Sequence, residues 1–169
     1  MILPILSYGA SVLRQECEDF EEHTPLDKLI KDMFETMYAA SGVGLAGPQI
    51  GVGNRIFIVD GSPFAEPDEN EDIDEELLEL KDFKKVFINP IIENESGDLW
   101  PFSEGCLSIP DVREEVERKS NIKISYFDEN WLFKEETYKG IPARIIQHEY
   151  DHIEGILFTD HLNPLKRRL

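Results

Sequence analysis

The chain has 169 residues, 41% of them hydrophobic, which suffices for one domain with a buried core, and no apolar run is long enough to span a membrane. A formal charge of -18 argues against direct binding of nucleic acid, whose phosphates it would repel. Met1-Ile2-Leu3-Pro4 lacks the charged start and cleavage site of a signal peptide, and the chain holds only two cysteines, Cys17 and Cys106; a reducing, cytoplasmic setting is expected and a disulfide framework is not.

In chain order, Leu26, Leu29, Ile30, Met33 and Met37 fall at helical spacing behind Thr24, so a first helix is expected over 24–41 with Thr24 as its cap. A glycine-dense segment, Gly42 to Ile50, follows. Residues 55–59 read as a strand. From Glu66 to Asp82 there are ten acids and one lysine, a net of nine negative charges, half of the chain's total. This acidic insert, about 61–85, reads as a solvated loop with a short helix beyond it. Strands are expected at 86–92, 121–127 and 131–138, with Asp128-Glu129-Asn130 as a hairpin turn. A last helix has Pro142 in its first turn and Gly155 at its end. The tail Lys166-Arg167-Arg168 is the one basic cluster and reads as a solvated terminus, with ribosomal RNA as the alternative contact. The pattern predicts an α+β fold, with antiparallel β-sheets packed around a central helix, and one catalytic domain over 1–169.

That last helix carries His148-Glu149-Tyr150-Asp151-His152. Imidazoles four residues apart lie on one helical face, where they can share a metal ion, and Glu149 beside them can take a proton from a water. Such a run also occurs on solvated helices. Here Ile145, Ile146, Ile153, Ile156 and Leu157 flank it, and buried His and Glu are costly without a partner, so a metal-dependent hydrolase is the better reading.

A catalytic metal needs a third protein ligand and an open position. Downstream only His161 and a few acids remain. Upstream, Glu104-Gly105-Cys106-Leu107-Ser108 lies between Pro101 and Pro110, which suggests a bend or interrupted strand, and Cys106 reads as a thiolate ligand. Cys17 reads as inert and partly buried; the alternative is that both cysteines are structural. The glycines of 42–50 end in neither Gly-Lys-Ser/Thr nor a dinucleotide-binding spacing, so phosphate binding is a poor reading. A tight turn explains them but does not explain Gln49.

These three segments resemble the peptide deformylase family. Its G-h-G-h-A-x-x-Q loop, E-G-C-L-S segment and Q-H-E-x-D-H helix match Gly42 to Gln49, Glu104 to Ser108 and Gln147 to His152, in that order. The resemblance runs from Val12-Leu13-Arg14 to Gly155-Ile156-Leu157-Phe158. It implies Cys106, His148 and His152 as metal ligands and Glu149 as general acid and base. Gln49 and the backbone N–H of Leu107 would hold the formyl oxygen as charge develops on it. The cofactor implied is one divalent ion, ferrous iron in the cell, with zinc, nickel or cobalt able to take the same ligands.

The substrate implied is a nascent polypeptide starting with N-formylmethionine, met at the ribosome and cleaved to formate and a free amine. Val43, Leu107 and Ile145 resemble the lining of a methionine pocket, and Gly44 and Gly105 would let the peptide lie close as an added strand. Glu104 and Arg118 resemble a buried carboxylate–arginine pair behind the ligands, while Arg113 faces either substrate or solvent. Two departures stand out, Gly47 in place of a common alanine and the long stretch between Gln49 and Glu104. A metallopeptidase shares His148, Glu149 and His152 but not Cys106 or Gln49, and a non-catalytic metal-stabilised module would need no Glu149. No membrane partner is expected, and the oligomeric state is open, with a monomer as the default.

Overall fold

The computed structural model describes residues 1–66 and 75–165. Its centre is strand β2, Ile56–Asp60, whose five residues are all buried. Because a strand sends alternate side chains to opposite faces, Phe57 and Val59 enter one core while Ile56 and Ile58 enter another. Helix α1, Asp27–Ala39, covers the second face with Met33 and Met37. The last long helix, numbered α3 below, covers the first with Ala143, Ile145, Ile146 and Ile153. A sheet buried on both sides needs a continuous apolar run, and Ile56-Phe57-Ile58-Val59 is one.

The strands are β1 Gly44–Ala46, β2, β3 Lys84–Cys106, β4 Ile109–Phe127 and β5 Phe133–Lys139. They pair antiparallel in sequence order, in one hydrogen-bonded sheet. Between β2 and β3 lies the one-turn helix α2, Glu75–Leu78; α3 spans Gly140–Ile153. The α+β architecture with α3 packed against the sheet is as expected. The long β3–β4 pairing carries register shifts, one of them across Pro90, of the kind that bend a sheet.

Three boundaries differ by three residues or more from the sequence reading. Helix α1 starts at Asp27 rather than 24, and its cap position, Leu26, has no side-chain cap. The Thr24 hydroxyl donates to the Glu21 carbonyl instead, since the following Pro25 disfavours a helical Thr24. Strand β3 runs on through 93–99, which is exposed on both faces and so carries no apolar alternation. Strand β4 begins twelve residues before the expected 121: Val116 and Arg118 alternate inward against exposed Arg113, Glu115 and Glu117, and a buried arginine hides the pattern.

Of the acidic insert, residues 67–74 lie outside the described residues, as does the basic tail at 166–168. Its two ends are inside. Phe64 packs on the α3-side core, and Leu80 and Phe83 are buried there. Among the described residues no helix is long and apolar enough to cross a membrane.

Candidate active site

Three pieces of chain converge on a cavity of about 460 Å³, lined among others by Val43, Gly44, Gln49, Cys106, His148 and Glu149. The first is the short edge strand β1 with the 3-10 turn Gly47–Ile50 that ends it. The second is the turn where β3 ends at Cys106 and β4 starts at Ile109. The third is α3, where the 3.6-residue repeat stacks Arg144, His148 and His152 on one stripe and sets Glu149 beside it. Gly155, at φ 77°, ends the helix as expected.

The Cys106 Sγ lies 3.3 Å from His152 Nε2, and ligand atoms of Cys106, His148 and His152 all lie within 4.8 Å of one another. His148 Nδ1 is 2.9 Å from Glu104 Oε1, which turns its Nε2 toward the sulfur side. Glu104 is almost fully buried and also accepts from Arg118 Nε at 2.7 Å and Nη2 at 3.0 Å, and from Arg144 Nη1 at 2.7 Å. Burial opposes its ionisation, but the bonds from His148 and Arg118 outweigh burial and hold it well below the usual carboxylate range. For His148, burial is likewise outweighed, by its bonds to Cys106 and Glu104, and the ring is pushed up to about 10. Burial, reinforced by the His148 charge, keeps His152 well below its ordinary value.

Gln49 is fixed at both ends of its amide. Its Oε1 accepts from the Ala46 N–H at 3.0 Å, while Nε2 lies 3.1 Å from Ser108 Oγ and 3.5 Å from Cys106 Sγ. The backbone of both loops is held from behind, Leu6 N–H donating to Gln49 O at 2.8 Å and Tyr8 N–H to Ser108 O at 2.9 Å. Glu149 is 4% exposed, its Oε2 has no hydrogen-bond partner, and burial pushes its carboxyl up to about 7. His152 Nδ1 is also buried without a partner. The Glu149 oxygen, orphaned beside Cys106 and His148 in the cavity wall, is costly unless a ligand settles it. One thiolate and two imidazoles are the donor set a borderline-soft divalent metal takes, so these residues fit a metal ion.

The other expected residues fall as follows. Val43, Leu107 and Ile145 all line the cavity. Gly44 and Gly105 line it too, yet side chains already occupy the space a Cβ would need. A methyl on Gly44 would stand 2.7 Å from Glu149 Oε1, and one on Gly105 would stand 2.8 Å from Arg113 Nη1. Arg113 is exposed, lines the cavity mouth and donates to Ser103 O at 3.1 Å. Cys17 is buried in the α3-side core, outside the cavity lining, where burial raises its thiol to about 11.

Sequence reasoning missed three polar residues. Ser108 holds the Gln49 amide, Asp151 Oδ2 pairs with Arg118 Nη1 at 2.7 Å, and Arg144 contacts Glu104. For Arg144 there was a signal in its position four residues before His148, on the same helical stripe. For the other two the partner is remote in sequence.

A family model described as polypeptide deformylase matches residues 2–168. The peptide deformylase of Christiangramia forsetii is 55% identical over 170 residues, covering 100% of this chain and 86% of that protein; that of Flavobacterium psychrophilum is 54% identical, covering 99% and 86%. Among solved structures, a peptide deformylase from Legionella pneumophila superposes with a TM-score of 0.84 at 37% identity, covering 99% of this chain and 90% of that one. One from Synechococcus elongatus, in complex with actinonin, gives 0.81 at 38% identity, covering 98% and 82%. A match of this length, on a chain that folds the three motifs into one cavity, means that the chain belongs to the polypeptide deformylase family.

Proposed function

We propose that this cavity removes the N-formyl group from the N-terminal formylmethionine of nascent polypeptides, releasing formate, with the whole chain acting as one catalytic domain. The observation that carries the reading is the meeting of Cys106, His148 and His152 within 4.8 Å, beside the Gln49 amide and the unpartnered Glu149 Oε2.

Cys106, His148 and His152 would hold one divalent ion, ferrous iron in the cell, with zinc, nickel or cobalt fitting the same donors. When bound, such an ion supplies Lewis acidity, which makes a water nucleophilic at neutral pH. The remaining chemistry belongs to the chain. Glu149 takes a proton from the attacking water, whose oxygen adds to the formyl carbon. Gln49 Nε2 and the Leu107 N–H donate to the formyl oxygen as it becomes negative. Glu149 then delivers the proton to the departing nitrogen, the C–N bond breaks, and formate and a free amine result. Glu104, bonded to His148 Nδ1, fixes that ring's orientation, and Arg118 fixes Glu104.

The peptide would add as a strand along β1, which lies at the edge of the sheet, with its first side chain against Val43, Leu107 and Ile145. It would work on nascent chains at the ribosome in the cytoplasm, as a monomer, and with a formal charge of -18 it would meet them through the peptide and not by direct binding of RNA. The test is formate release from a formyl-Met peptide by anaerobically prepared, iron-loaded protein. Release that requires both the ion and Glu149 supports the proposal. Its absence from folded, loaded protein overturns it.

A further inference from the structure

Arg144 is a cation with almost no exposure, 2%, in the wall of the reaction cavity. A buried guanidinium is expensive unless its donors are met, and here every nitrogen but Nε has a partner. Nη1 donates to Glu104 Oε2 at 2.7 Å and to Val116 O at 2.8 Å, Nη2 donates to Trp100 O, and the group lies 4.7 Å over the Trp100 ring. The two carbonyls, from β3 and β4, fix where the guanidinium sits.

Glu104 has about four acceptor positions on its two oxygens. Two are taken by the Arg118 fork, one by His148 and one by Arg144. Arg118, in turn, shares its charge with Asp151. Two carboxylates therefore face two guanidiniums, with His148 beside Glu104 and His161 Nε2 2.8 Å from Asp151 Oδ2. A carboxylate held on all sides presents Oε1 to His148 Nδ1 in one direction, which keeps Nε2 free on the other.

We propose that Arg144 is a positioning residue: acting through Glu104, it sets the orientation in which His148 offers its Nε2 to the metal. This rests on the reading of Cys106, His148 and His152 as ligands. It makes a specific demand, that the contribution of Arg144 to metal binding disappear when Glu104 can no longer carry it.

The experiment is Zn²⁺ affinity by competition with a chromophoric chelator, with the visible spectrum of the Co²⁺ form as a second readout. It is run on the wild type, Arg144→Met, Arg144→Lys, Glu104→Gln and the double variant Glu104→Gln/Arg144→Met. Arg144→Met is expected to weaken Zn²⁺ by about 10-fold and to shift the Co²⁺ bands, the scale at which lost support behind a ligand is usually felt. Arg144→Lys, which keeps the charge and most of the volume, recovers part of that loss and serves should the methionine variant not fold. In the Glu104→Gln background the further loss should be less than about 2-fold, because contacting residues in one network are not additive. Losses that multiply in the double variant, or an unchanged Zn²⁺ affinity and Co²⁺ spectrum in both Arg144 variants, would overturn the proposal. Failure of the wild type itself to take up Zn²⁺ or Co²⁺ would overturn the ligand reading beneath it, a result distinct from either.

Discussion

The Glu149 carboxylate occupies the space that Gly44 leaves by having no side chain: a Cβ there would meet Oε1 at 2.7 Å and Cγ at 2.8 Å. The edge strand and the motif helix thus touch at the one residue proposed to carry protons. Gly44→Ala is expected to displace Glu149 and lower kcat/KM by about 100-fold, since misplacement of a reacting group by about 1 Å costs on that order. Circular dichroism should be unchanged. Glu149→Ala should retain fold and metal while losing about 100- to 10,000-fold. Adding Gly44→Ala to Glu149→Ala should then change little, and a full further loss in the double variant would show that Gly44 acts elsewhere.

The amide of Gln49 should matter more than the hydroxyl that holds it. Gln49→Ala removes a donor aimed at the developing charge and should lower kcat by about 100- to 1,000-fold. Ser108→Ala removes one neutral hydrogen bond to that amide, worth about 1 kcal/mol, and should lower kcat by about 5-fold with KM unchanged. Steady-state kinetics on a formyl-Met tripeptide decide it. A larger effect at Ser108 than at Gln49 would reverse the assigned roles.

The two cysteines should differ sharply toward iodoacetamide at pH 8. Burial holds the Cys17 thiol up at about 11 in the α3-side core, whereas Cys106 lines the cavity. Peptide mapping by mass spectrometry should find Cys106 modified in chelator-treated protein, neither cysteine modified in Zn²⁺-loaded protein, and both modified in urea. Fast alkylation of Cys17 in the native protein would contradict its buried placement, and alkylation of Cys106 at the same rate with and without Zn²⁺ would remove it from the ligand set.

The β4–β5 turn should give a measurable acid dependence. Asp128 Oδ1 accepts from the Asn130 N–H at 2.9 Å and the Leu132 N–H at 3.0 Å, and Oδ2 lies 3.3 Å from Lys134 Nζ. Burial opposes ionisation of Asp128, but these two N–H groups and the ammonium outweigh it and lower its pKa. A carboxyl depressed in the folded state stabilises the fold above its unfolded pKa of about 3.9, and that contribution is lost as pH falls through the folded value. Asp128→Ala should therefore cost about 1–2 kcal/mol at pH 7 and less at pH 3. Urea unfolding at both values tests this, and an equal gap at the two pH values would exclude the charged form as the cause.

What the sequence determined by itself was whatever rests on local spacing. His148 and His152 share a face because a helix repeats every 3.6 residues, and residues 55–59 read as a strand because β-branched and aromatic residues gather there. Membership in the family was legible from three short motifs, since each keeps its chemistry within a few residues. The tertiary structure decided what depends on residues distant in the chain. Arg144 reads from sequence as a charge on a helix, and only its three acceptors on β3 and β4 make it a buried support of Glu104. Gly44 and Gly105 read as allowing close approach of a peptide backbone, and folding alone puts Glu149 and Arg113 where a Cβ at each would project. The long arm of β3 and β4 carries little apolar alternation because one stretch faces solvent on both sides and the other buries charge against charge. Periodicity records which side of an element meets apolar core, and it is silent where the buried partner is another charged group brought from far along the chain.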